Sequence, residues 1–195
     1  MIFSRFRRPA RTDTISALYG MIVAQARLPC FYRDYAVADT VNGRFDLIVL
    51  HLALLLDRLA QEAALRTLGQ GVFDRFCEDM EHNLREMGIG DLKVPKEMQR
   101  MGEAFYGRAQ AYQAALAADG DAVLTQAIAR NIYGGSPPKS PKPDLPDVPD
   151  LPDLAARLAA YMRLALLDLR AQSPASLAQG NLRFPDPAAA PVGSR

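Results

Sequence analysis

Tryptophan is absent from this 195-residue chain, and cysteine and histidine occur only twice each. Two cysteines with no CxxC spacing exclude a disulfide framework and a zinc ribbon. Cys77 and His82 lie five residues apart, about 140° around a helix, so they do not converge on an ion. There is no HExxH, no paired ExxH and no GxSxG, so neither a metal centre nor a serine hydrolase is expected, and no cofactor is implied. Gly88-Ile89-Gly90 lacks the Lys-Ser/Thr of a phosphate loop and reads as a helix-ending turn. Long apolar runs are missing too. The longest, Leu47 to Leu56, is interrupted by His51 and falls well short of the ~20 residues a spanning helix needs. The N-terminus is basic but is followed by no apolar run, so no secretory signal is read there. Unpaired cysteines without such a signal suggest a reducing, cytoplasmic setting. Basic and acidic residues nearly balance, 23 against 22, which excludes a globally cationic nucleic-acid binder and argues against DNA as a partner.

What is present is helix. Apolar residues make up 49% and charged residues 23%, enough to bury a core. The fold expected is all-α, a single helical domain of five to seven helices with a proline-rich strap before the last one. The spacing predicts helices over about 12–27, 41–66, 72–87, from Pro95 to the Asp119-Gly120-Asp121 break, and onward to Tyr133. Residues 47–59 are apolar almost all round at 100° per residue, which marks a central buried helix. Between Ser136 and Asp153 seven prolines forbid regular helix. A Pro-Asp-apolar repeat places Leu145, Val148 and Leu151 on one side of a polyproline II strap, or leaves the segment a plain linker. A last helix follows over about 154–172, with Leu164, Leu166 and Leu167 outside its main stripe as surplus apolar surface. The organisation expected is therefore a basic arm at 1–11, a helical body at 12–135, the strap at 136–153, the last helix at 154–172 and a disordered tail at 173–195.

Three groups of residues carry functional readings. Arg5, Arg7, Arg8 and Arg11 form either a frayed start, a tether to anionic lipid or RNA, or a short transit peptide; on a charged membrane each is worth about 1 kcal/mol. Arg44, His51 and Arg58 recur every seven residues on the central helix, a basic row that is either ion-paired surface or a polar lining for a partner. Numerous methionines and aromatics, among them Met98, Met101, Phe105 and Tyr106, are either core or an adaptable groove for apolar segments.

Three stretches add a resemblance: LYGMIVAQARLPCFY (18–32), NGRFDLIVLHLALLLDRL (42–59) and FCEDMEHNLREMGIGDLKVPKEMQRMGEAFYGR (76–108). Together they resemble the ubiquinol–cytochrome c chaperone family over about 18–133, leaving the strap and last helix outside. The resemblance implies a non-enzymatic assembly factor that binds newly made cytochrome b and promotes assembly of complex III, with the ribosome or an anionic membrane surface as further partners. It implies a peripheral place on the cytoplasmic face of the inner membrane. Within the matched motif, Arg85, Asp91, Phe105, Tyr106 and Arg108 are the expected partner surface, with Met98 and Met101 beside them. The rival classes are a membrane-docking lipid or quinone carrier, and a regulatory helical domain without a client.

Overall fold

The computed structural model describes residues 7–134 and 150–189, with side chains from residue 12 onward. Among these residues there is helix and no strand. Six long helices are α1 (Arg7–Ala26), α3 (Val41–Ala60), α4 (Arg66–Glu86), α5 (Val94–Ala117), α6 (Ala122–Ile132) and α7 (Leu151–Ala171); α2 (Pro29–Arg33) and α8 (Pro174–Ala178) are short.

α3 is the axis of the fold. Its Leu47, Val49, Leu50, Leu52, Leu55 and Leu59 are sealed from solvent, and it touches α1, α4, α5, α6 and α7. The all-round apolar pattern dictates this place, because a helix without a polar face is stable only when covered on every side. Thr40 caps its start, the hydroxyl accepting from the Gly43 amide at 3.2 Å.

Helix limits differ from the sequence expectation at three places. α1 begins at Arg7, not Thr12, and α7 at Leu151, not Leu154; Pro9 and Pro152 fall in first turns, where the missing N–H costs no helix bond. The break expected between about 66 and 72 sits instead at 61–65, and Gly69 and Gly71 lie inside α4. They are close-contact positions: a Cβ on Gly71 would lie 2.4 Å from Ile15 Cδ1, and one on Gly69 would touch Leu59 and Leu56.

The Arg5 side of the basic arm and the strap residues Leu145 and Val148 lie outside the described residues. Arg7, Arg8 and Arg11 contribute backbone to α1, their side chains also being outside. Leu151 belongs to α7. The surplus apolar surface expected on the last helix shrinks, since Leu166 is buried and Leu167 is exposed: packing on both α3 and α6 widens the covered face.

The tail is the largest correction. Residues 174–189, expected to be disordered, form α8, an extended run and a 3-10 turn at Pro187–Ala189, with Leu177, Leu182 and Pro187 buried. Prolines there do not oppose order. Pro174 opens a helix capped by the Ser173 hydroxyl, 3.2 Å from the Ser176 amide, Pro185 lies in irregular chain and Pro187 opens the 3-10 turn, positions that need no amide donor.

Candidate functional site

The basic row of the central helix resolves into three unlike environments. Arg44 is exposed and pairs with Asp39 at 2.7 Å. Arg58 is buried; its Nε and Nη2 donate to the Leu169 and Gln172 carbonyls at 3.2 and 3.0 Å, closing the C-terminal end of α7, where a cation is favoured. His51 is sealed in the core. Its Nδ1 lies 2.7 Å from the Leu47 carbonyl and its Nε2 2.8 Å from the Tyr161 hydroxyl. A carbonyl only accepts, so Nδ1 carries the proton and Nε2 accepts from Tyr161. Burial holds the imidazole neutral, its pKa lowered to about 4. His51 and Arg58 are therefore internal staples, which corrects the expectation that they face a partner: α7 covers the side of α3 on which the row runs.

The opposite flank of α3 is open. Leu56 and Ala60 from α3, Arg66, Gly69, Gln70 and Phe73 from α4, and Phe105 and Tyr106 from α5 line a surface groove of about 270 Å³. Its aromatic wall is continuous. Phe73 lies 5.0 Å from Phe105 and 5.9 Å from Tyr106, and Phe76 follows at 5.7 Å from Phe105 and 6.2 Å from Phe45. Phe105 is buried and anchors the wall; Tyr106 is 63% exposed and forms its lip. At the far end the Arg108 guanidinium stands 5.9 Å over the Phe45 ring and 2.9 Å from Asp46 in an ion pair. Met98 and Met101 do not line the groove; both are half-buried against the core.

Beneath this wall lies a polar cluster with poor satisfaction. Among the described residues no aligned hydrogen bond reaches Asp46 Oδ1, Arg108 Nε, the Tyr112 hydroxyl or Asn131 Nδ2. Burial pushes the Asp46 carboxyl up to about 6 although Arg108 pulls it down, and burial raises Tyr112 as well.

The helix-ending motif between α4 and α5 makes a second exposed feature. The Ile89 amide donates to Leu84 and the Gly88 amide to Arg85, both at 3.0 Å, with Gly88 at φ 80°. This is a Schellman end, and glycine is needed at its left-handed position. Arg85 bridges Glu81 on its own helix at 2.8 Å and Asp91 in the loop. The loop so fixed presents Leu92, 98% exposed, and Met87. Along α4 it stands about 20 Å from Phe73, at 1.5 Å per residue. Thus the structure brings Phe105, Tyr106 and Arg108 together on one wall and places Arg85 and Asp91 on a separate knob. Phe73 was legible only as a core-stripe residue, and Phe45 and Asp46 gave no functional signal. All three side chains form the wall or its end.

Among the described residues the chain is all-helical, with an aromatic-lined groove open at its surface. The chain belongs to the ubiquinol–cytochrome C chaperone family, whose model matches residues 33–184; the match runs through α7 and into the tail, beyond the limits the sequence resemblance suggested. It is similar to the crystal structure of the Cbp3 homolog from Brucella abortus, 38% identical, with a TM-score of 0.79 over 98% of this chain and 100% of that one. It is also 29% identical, over 116 residues, to ubiquinol-cytochrome-c reductase complex assembly factor 1 of Xenopus laevis. That alignment takes in 59% of this chain and 58% of the frog protein. No helix among the described residues is long and apolar enough to cross a membrane.

Proposed function

We propose that this assembly chaperone holds newly made cytochrome b before its incorporation into complex III, and that the α3–α4–α5 groove is where an apolar segment of the client rests. The observation that carries the proposal is the wall itself. Tyr106 stays largely exposed beside a buried Phe105 and a half-buried Phe73, so the groove joins an exposed aromatic lip to an apolar floor. An apolar helix laid in such a groove docks residues spaced three and four apart, which is the helix-in-groove mode. The open side of the groove suits a chain passing through better than an enclosed lipid or quinone.

Arg108 at one end and Arg66 at the other supply cationic groups near the polar ends of a membrane segment. The Arg85–Asp91 knob and its exposed Leu92 extend the contact along the client or toward another assembly partner. Arg44 remains available at the surface, and Arg5, Arg7, Arg8 and Arg11 supply weak, salt-sensitive attachment to an anionic membrane or ribosomal RNA. This puts the protein at the cytoplasmic face of the inner membrane, where cytochrome b emerges, and gives it no catalytic step.

The test is genetic. Deleting the gene lowers assembled complex III while leaving unrelated respiratory complexes near normal, measured by native gel and by spectral quantification of cytochrome b. Normal complex III in the deletion strain overturns the proposal.

A further inference from the structure

The tail lies in a cleft that is built without it. Gln25 on α1, Tyr35 after α2, His51 on α3, and Tyr161 and Gln172 on and after α7 form its floor and sides. Their arrangement is held by contacts among themselves. Gln25 Nε2 donates to the Tyr161 hydroxyl at 2.9 Å, Tyr161 donates to His51, and Phe31 sits edge-on to both rings at 5.1 and 5.5 Å. These bonds do not involve the tail.

The tail is read mainly through its backbone. The second hydrogen of Gln25 Nε2 goes to the Pro185 carbonyl at 3.0 Å and the Tyr35 hydroxyl to the Pro187 carbonyl at 2.5 Å. Gln172 takes both groups of Arg183, donating to its carbonyl at 2.9 Å and accepting from its amide at 3.1 Å. Prolines at 185 and 187 have no amide donor to leave unpaired. Among the described tail residues, Phe184 is the side chain that meets the aromatic floor, edge-on to His51 at 5.0 Å, while Leu182 and Pro187 on either side of it are buried against the body. The Arg183 side chain points outward, 72% exposed, with Asp168 at 3.4 Å. Chain direction is set at Gly180, in the left-handed region at φ 83°, where Ala17 also leaves little room for a Cβ. The cleft continues beside the tail as an open channel of about 600 Å³ between α1 and residues 180–183, bordered by Ala17, Gly20 and Met21.

We propose that this cleft is a peptide-binding groove for an extended segment carrying an aromatic residue followed by proline, and that the chain's own 182–187 segment is its resident occupant, exchangeable with a matching segment supplied in trans. Carbonyl-directed glutamine and tyrosine donors make recognition tolerant of sequence, and the His51–Phe31–Tyr161 floor sets the demand for one aromatic ring. The inference is independent of the client groove on the far flank of α3, because its probe is the chain's own segment.

The experiment uses full-length protein and a fluorescent peptide with the sequence of residues 178–189. In wild type the resident tail competes and binding is weak. Phe184→Ala, which weakens the resident, takes up the peptide about tenfold more tightly, since apparent affinity scales with the open fraction. Adding Gln25→Leu and Tyr35→Phe to that variant removes the gain, as does Phe→Ala in the peptide. Hydrogen exchange of both proteins keeps the test falsifiable: α3 amides stay protected in Phe184→Ala, which shows that the variant is folded, and in the wild type the amides of 182, 183, 184 and 186 exchange far faster than those of α3. Equal peptide binding by wild type and a folded Phe184→Ala protein, or tail amides that exchange only with α3, overturns the proposal.

Discussion

The two flanks of α3 are made from similar residues and finished to opposite standards. Toward α1 and α7, both His51 nitrogens, the Tyr161 hydroxyl and Gln25 Nε2 have partners and the tail closes the seam, Arg157 Nε being the one buried polar atom there without an aligned hydrogen bond among the described residues. Toward α4, α5 and α6, Asp46 is ion-paired with Arg108, but Arg108 Nε, the Tyr112 hydroxyl and Asn131 Nδ2 are buried without an aligned hydrogen bond among the described residues, and an aromatic wall opens on solvent. Buried, fully connected networks rigidify a fold, whereas incomplete ones cost stability. The sealed flank holds the molecule together, and the open flank carries a cost that selection for folding alone would remove. This contrast is the basis for proposing the client site on the open flank.

The contrast breaks most violently at its axis. Leu50→Asp puts an unpaired charge where nothing can solvate it, and loss of the cooperative thermal transition is expected. Two fully buried tyrosines then separate the flanks. Tyr161→Phe strands His51 Nε2 and one Gln25 donor and costs about 1–3 kcal/mol in urea melts. Tyr112→Phe removes a hydroxyl that has no aligned hydrogen bond, so a change under about 0.5 kcal/mol, or a gain, is expected.

Proton linkage separates the flanks with opposite signs. The folded-state pKa of Asp46 is raised from 3.8 to about 6, so the folded state binds the extra proton and stability falls as pH rises through that window. The folded-state pKa of His51 is lowered from 6.5 to about 4, so the unfolded state binds the extra proton and stability falls as pH drops through its own window. Between about pH 4 and 6 the two oppose each other. Because the fold disfavours the ionised Asp46 even with Arg108 beside it, Asp46→Asn is expected to add about 1–2 kcal/mol at pH 7, to add nothing below pH 4, and to expose a steeper acid decline set by His51. Denaturant midpoints at pH 7 and 4.5 measure both. The smallest effect on stability is at the lip: Tyr106→Ala shifts it by less than about 0.5 kcal/mol while lowering complex III assembly.

The sequence made the all-helical class and the place of α3 legible because both follow from periodicity, which is local. It also exposed the Gly88 helix end, since a glycine at that offset has one main use. The basic row misled because a spacing of seven says that Arg44, His51 and Arg58 share a face and not what covers it. α7 covers it at His51 and Arg58, from more than a hundred residues away, and leaves Arg44 at the surface. The tail misled because proline content argues against helices and strands, and not against an extended segment held by side chains of other elements. The aromatic wall was half legible: Phe105 and Tyr106 stood out in the motif, while Phe45 became visible only when α3 was laid beside α4.

The most direct measurement places a photo-crosslinking residue at Tyr106 or, as a control, at Leu167. Both are 63% exposed, and they lie on different helices, α5 and α7. In cells making cytochrome b, the account predicts a cytochrome b adduct from position 106 and none from 167. Equal labelling from both positions, or none from 106, contradicts it.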